Sequence, residues 1–319
     1  MGPWGPWRAA ALSLAAALAL SLAAGARAAP PAPASSVPVP SSPGPGPAFL
    51  GVLQAYLERR PVAALPALDR VRAARWRRSW LDALARRWGP PVGYKAALTS
   101  PAAQRRFRAS GPVWGALFRP MLRPGPEARV GLEEGVRLLV EPDLLVRVRD
   151  PRALARARSP EDLAAALDAV LPFVELPDLL FAPGLPLSGP LIAATGAGAR
   201  LGVVGRPVPL TGSGAQRAAR LRAIRVRLED GAGRVLARGD ARALMGPPGA
   251  GQGLGGDPLR AVGWLRDALA AEGISLERGQ LLSLGSLAPP RPARPGLYRA
   301  VYTGLDPSGP RILTLRLRP

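Results

Sequence analysis

Lys95, in GYKAALTS, is the sole lysine of the chain, and every other member of its 43 Lys and Arg residues is arginine. A guanidinium cannot release its proton in a protein. An ammonium can, once burial or neighbouring charge lowers its pKa from about 10.4. Lys95 is therefore a candidate for proton transfer or covalent chemistry. The plain alternative is chance, because coding rich in Ala, Arg, Gly and Pro turns lysine into arginine wherever either will do. Acidic candidates come in two pieces. In VEPDLLVRV, Glu141 and Asp143 stand two apart in an extended segment, and the period of a strand puts both on one face. In VLPFVELPD, Glu175 lies between Val174 and Leu176, with Asp178 following. A carboxylate in so apolar a setting must be paired or bind a metal. Three or four carboxylates from two strands are what a hard divalent cation needs. Their plain alternative is a set of surface groups paired with arginine.

The absences narrow the chemistry. The chain has no His, no Cys and no Asn. Ser-His-Asp and Cys-His catalysis are excluded, as are Cys/His zinc sites. Any metal is held by oxygen, which means Mg, Mn or Ca. Acid-base work falls to Asp, Glu, Lys and Tyr.

Several elements must position these groups. Apolar residues at helical spacing predict helices over Phe49 to Arg60 and Leu65 to Trp88, ended by Pro90-Pro91. Val92 to Leu98 reads as a short strand. Ser100-Pro101 reads as an N-cap with proline at the first helical position, opening a short helix through Phe107. Gly135 to Val148 reads as extended. Pro142 within it lacks a ladder donor and is tolerable in a strand only at an edge or bulge. Ser159 caps a helix expected to reach about Val170, and Leu171 to Leu176 is the next strand. Leu221 to Leu228 and Arg234 to Arg238 read as a hairpin. Asp257-Pro258 starts a helix that stops at Gly273. Leu281 to Leu284, Tyr298 to Tyr302 and Ile312 to Leu317 complete the strands. Helices first, then a mixed region, then mostly strands with one embedded helix predict an α+β fold.

The first 28 residues read as a secretory signal: Arg8, an apolar run from Ala9 to Ala24, then Ala26-Arg27-Ala28 as a small-x-small cleavage site. The apolar run is short for a membrane span, so no stable span is expected after cleavage, the plain alternative being an uncleaved anchor. Residues 29–47 read as a Pro/Ser-rich linker, leaving a folded part over 48–319, helical to about 90 and β-rich from 91. The protein is accordingly expected outside the cytoplasm, periplasmic or secreted. Net charge is +21. The densest run, RVRAARWRRSW, spreads its arginines all round a helix, so no specific nucleic-acid site is expected. The glycine-rich GPPGAGQGLGG has no lysine to meet a phosphate and reads as a loop.

In order and spacing, GYKAALTS, GPVWGALF, VEPDLLV, VLPFVELPD, GDPLRAVGWLRDALAAEGISLERGQLLSLGSL and PARPGLYRAVYTGL resemble the 2-keto-4-pentenoate hydratase family of the fumarylacetoacetate hydrolase superfamily, from about Leu50 to the C-terminus. The resemblance implies a mixed, curved β roll with outer helices. It implies Mg or Mn held by Glu141, Asp143 and Glu175, with Asp143 in place of the usual Glu. It implies proton transfer by Lys95, with Ser286 and Asp178 near a small 2-keto acid. The implied activity is that of a hydratase-like lyase in aromatic catabolism, with a homo-oligomer allowed for. Parts of the family pattern are changed: Met121 follows Arg119-Pro120 instead of two acidic residues, Leu179-Leu180 replaces Ser-Arg after Asp178, Ala193 to Gly196 replaces an Asn-Ala-Ser-like stretch, and Leu284 replaces a threonine. These changes leave a second expectation open, a catalytically impaired relative that binds a small organic acid outside the cytoplasm.

Overall fold

The computed structural model describes residues 46–64, 68–242, 244 and 256–319. The stretch read as an export signal, nearly all of the linker, and the glycine-rich loop before Gly256 lie outside the described residues.

Helix α1 (Pro47–Glu58) is followed by α2 (Arg70–Trp88), which is capped by the Asp69 carboxylate accepting from Arg72 N–H at 2.7 Å. Despite its arginines, α2 buries a single stripe: Ala73, Trp80 and Leu84, seven and four residues apart. Phe49 and Tyr56 of α1 meet Trp80 edge-on, Tyr56 at a centroid distance of 4.9 Å. The chain then enters β1 (Gly93–Ala97), and the Ser100 hydroxyl caps α3 (Pro101–Arg106). Next come β2 (Val113–Leu117), β3 (Leu122–Pro124), β4 (Glu127–Gly131), β5 (Leu139–Val148), α4 (Pro151–Arg156), α5 (Pro160–Ala165) and β6 (Leu167–Leu176). The second half comprises α6 (Gly189–Ala194), β7 (Leu201–Val204), β8 (Val208–Pro209), α7 (Gly214–Ala223), β9 (Arg225–Asp230) and β10 (Val235–Asp240). After these come α8 (Pro258–Ala270), β11 (Leu281–Ser283), β12 (Arg291–Pro292), β13 (Gly296–Thr303) and β14 (Arg311–Arg318).

Several boundaries differ from the sequence expectation: α2 begins at Arg70, where Asp69 caps it, the expected start at Leu65 lying outside the described residues, and two further differences have clear causes. The helix capped by Ser159 ends at Ala165, and β6 begins at Leu167. Strand β6 is buried on both faces, so it lacks the alternation that would separate it from a helix. The segment from Leu221 is helical to Ala223, because a capping box of Ser213 and Gln216 opens α7. The strand of the hairpin therefore starts at Arg225.

The architecture is α+β with a curled mixed sheet. Nine strands form it in the order β2-β1-β11-β5-β6-β7-β3, with β12 also pairing β5 and β8 pairing β6. Pairs β1/β11 and β3/β7 are parallel. A second sheet runs β10-β9-β13-β14-β4. Tyr302 on β13 joins the two, its buried hydroxyl donating to Phe173 O on β6 at 2.5 Å.

Pro142 sits inside β5, which is flanked on both sides, rather than at an edge. The site tolerates it because the partners on one side leave a gap: β11 pairs Leu145 to Arg147, and β12 pairs Leu139 and Val140. Pro142 O accepts from Leu287 N–H at 2.8 Å. In a strand the N and O of one residue point the same way, so the missing N–H faces this gap and not β6.

Candidate active site

Strands β1, β11, β5 and β6 lie side by side, and their register settles which side chains share a face. Lys95 is opposite Ser283, Ser283 is opposite Leu145, and Glu141 is opposite Glu175. Asp143 is two residues from both Glu141 and Leu145. Because partners in register share a face and alternate residues return to it, Lys95, Ser283, Asp143, Glu141 and Glu175 all project from one face. On β2, Gly115 is opposite Lys95, and a Cβ there would lie 2.1 Å from Gly196 O. The backbone turn at Gly196 thus closes down beside the lysine in a space that no larger residue would leave.

This face is nearly dry. Lys95 and Glu175 are each 2% exposed, and Asp143 and Ser283 are fully buried. The Lys95 ammonium forms an ion pair with Glu175 Oε1, an oxygen with no well-oriented hydrogen bond. Asp143 accepts from Ser283 Oγ–H through one carboxylate oxygen and from its neighbour's amide, Leu144 N–H, through the other, each at 2.5 Å. Burial pushes all three carboxyl groups above their ordinary range. Glu141 keeps some exposed surface, yet burial and then the negative Glu175 push it up to about 7, against the pull of Lys95. Asp143 is raised well above 3.8 by burial first and Glu175 second, opposed by the Ser283 hydrogen bond, the Leu144 amide and Lys95. Glu175 is raised by burial and pulled back by Lys95. The face thus holds three carboxyl groups that repel one another and one ammonium.

Ser283 had no place in the sequence reading. Its signal was available: in LLSLGSL it is a polar residue within an apolar strand. Ser286 lies three residues on, beside β5, where its hydroxyl donates to Ala288 O at 2.6 Å. Between them Gly285 has φ of 101°, and a Cβ there would come within 2.7 Å of Thr99 Oγ1. Close approach at this glycine brings the GYKAALTS and LGSL elements together. Asp178 is 5% exposed and is engaged elsewhere: it accepts from Arg137 N–H at 2.7 Å and from Val136 N–H at 3.0 Å, fastening the approach to β5.

The donor set suits a hard divalent cation, with three carboxylates and one incompletely satisfied buried oxygen. As placed, however, the side chains do not converge. Among the described residues no three acidic side chains are arranged to hold an ion. Also among the described residues, no helix is long and apolar enough to cross a membrane.

No family model matches the chain. The 2-keto-4-pentenoate hydratase of Paraburkholderia phymatum is 30% identical over 216 residues, covering 67% of this chain and 75% of that protein. The enzyme of the same name from Burkholderia vietnamiensis is 30% identical over 223 residues, with the same coverage. Among solved structures, 4-oxalocrotonate decarboxylase from Pseudomonas putida G7, complexed with magnesium and adipate, superimposes with a TM-score of 0.69 at 21% identity, over 85% of this chain and 95% of that one. The same decarboxylase complexed with calcium and acetate gives 0.66.

Proposed function

The chain belongs to the 2-keto-4-pentenoate hydratase family, and from that membership we propose that it is a lyase acting with a divalent cation, Mg or Mn, on a small 2-keto or 2-hydroxydienoate acid. The observation that carries the reading is the burial of the sole lysine against Glu175, on the strand face that also bears Glu141 and Asp143. Glu141, Asp143 and Glu175 would hold the cation. When bound, it polarises oxygens of an acid substrate and stabilises negative charge developing there. Lys95 holds or moves a proton at its Nζ, for which an amine is required and a guanidinium is useless. Glu175 keeps that amine in place. The dry walls of the face strengthen each of these electrostatic effects.

The test uses purified protein, Mg or Mn, and a 2-hydroxy-2,4-dienoate. Turnover is expected, with Lys95→Arg reducing it by about a hundredfold or more, the usual contribution of a positioned acid-base group. Turnover that survives Lys95→Arg intact would refute the role of Lys95.

A second reading is favoured by two observations: the acidic side chains do not converge as placed, and Asp178 is committed to backbone amides. On that reading the protein binds a small organic acid without converting it, and thermal stabilisation by the acid without turnover distinguishes it. For the N-terminal stretch we propose export. The mature protein would then be recovered outside the cytoplasm with its N-terminus near Ala29, which N-terminal sequencing checks.

A further inference from the structure

We infer that the outer face of the second sheet, β10-β9-β13-β14-β4, is a docking surface for an anionic lipid leaflet. The inference is independent of the catalytic reading above. It starts from the register, because partners share a face and alternate residues return to it. One face carries Leu228, Ala300, Tyr302, Leu313 and Leu315, all buried. On the opposite face arginines stand against one another. Arg238 on β10 is directly opposite Arg227 on β9, and Arg316 on β14 is directly opposite Arg129 on β4. All four are exposed. Like charges placed in this way destabilise a sheet. Glu229 pairs with Arg227, but among the described residues Arg129, Arg238 and Arg316 have no carboxylate partner. Arg225 and Arg318, also exposed, continue the array to the two ends of the sheet. In a chain so rich in arginine, composition alone carries nothing. Direct opposition without a counter-charge does, because folding alone would favour an acid at one position of each pair.

A second observation selects the partner. Ile312 ends the cross-strand row Arg238, Arg227, Val301, Ile312, and it is 47% exposed among these charges. The face thus sets guanidinium groups around an apolar spot, over five strands and about 19 Å. Lipid phosphates accept bidentately from guanidinium groups, and the boundary beneath the headgroups takes up the isoleucine. A fluid leaflet needs no fixed pattern of its own to meet each arginine. Other occupants fit less well. Tyr298 and Tyr302, the tyrosines of this sheet, lie on the buried face, so neither ring is offered to stack a nucleic-acid base. A two-fold contact with a second copy would set one positive face against another.

The test uses the purified full-length chain, sedimented at physiological salt with phosphatidylcholine vesicles, with or without a one-third share of phosphatidylglycerol. Binding to the anionic vesicles alone is expected. Arg129→Gln with Arg316→Gln should weaken it about 25-fold, at about fivefold for each arginine near such a surface. Both positions are exposed and the change relieves an opposed pair, so this variant keeps its fold. Arg75→Gln with Arg87→Gln removes the same charge from exposed positions of α2 and should leave binding nearly unchanged, because salt screens distant charges. Ile312→Ser should weaken binding several-fold, an effect that a purely ionic partner does not produce. Absence of binding to anionic vesicles, equal binding to neutral ones, equal weakening by the α2 pair, or indifference to Ile312→Ser each overturns the inference. So does binding of polyglutamate or duplex RNA that needs Arg129 and Arg316 while vesicle binding does not, which would give the face to an acidic protein or to a nucleic acid.

Discussion

At the scale of single residues, the candidate site is a problem of too much negative charge in too little water. Glu141 is pushed up to about 7 from 4.5, so the folded chain keeps this proton over a range in which the unfolded chain has lost it. Its contribution to stability is complete below about pH 4.5 and is lost as pH rises through 7. In cation-free buffer the urea midpoint should therefore fall between these two values, and Glu141→Gln should flatten the fall. A fall of undiminished size in Glu141→Gln would mean that other groups cause it. Ser283 answers the same crowding in another way, by donating to a fully buried carboxylate. Ser283→Ala should cost about 1–3 kcal/mol, the penalty for leaving a buried acceptor unpaired, read from urea unfolding. Lys95, Glu141, Asp143 and Glu175 were legible in the sequence because their types stand out against arginine and apolar surroundings. Ser283 offered only the signal of a polar residue in an apolar strand, and that signal does not reveal its partner, a carboxylate 140 residues away on the neighbouring strand.

Among the elements, the strand segments around β5 show what local pattern can and cannot foretell. Period two put Glu141 and Asp143 on one face, and the ladder agrees. The tolerance of Pro142 depends on where β11 stops and β12 begins, which no reading of nine residues contains. The same holds for Asp178. Its sequence neighbourhood suggests one of a set of cation ligands and the family resemblance a substrate contact, whereas its carboxylate accepts from two backbone N–H groups that lead into β5. Asp178→Ala should accordingly lower stability by about 1.5–3 kcal/mol, the range for hydrogen bonds to a charged group, as measured by urea unfolding. A raised KM at unchanged stability would instead give the residue back to the substrate.

For the whole molecule, class was legible and pairing was not. The order of helices and strands gave α+β because each element carries its own period and caps. The sheet order β2-β1-β11-β5-β6-β7-β3 brings together segments nearly two hundred residues apart, such as Lys95 and Ser283, and depends on long-range burial. Among the contacts between the two sheets is a fully buried phenol, Tyr302, whose hydroxyl holds a carbonyl of the strand that carries Glu175. Burial holds that phenol well above its usual pKa, so it remains a donor throughout the neutral range. This bond predicts that the two sheets unfold together. Among the described residues the tryptophans, Trp76, Trp80, Trp88, Trp114 and Trp264, lie on helices and on the first sheet and none on the second, so their fluorescence reports the part outside the second sheet, whereas far-UV circular dichroism reports both sheets. The two urea transitions should coincide in the native chain. In Tyr302→Phe both should move to lower urea by an amount equivalent to about 1–3 kcal/mol and still coincide, because burial of the ring is retained while the carbonyl loses its donor. Transitions that separate in the native chain would show that the second sheet is an independent unit, and the strand bearing Glu175 would then have to be held by the first sheet alone.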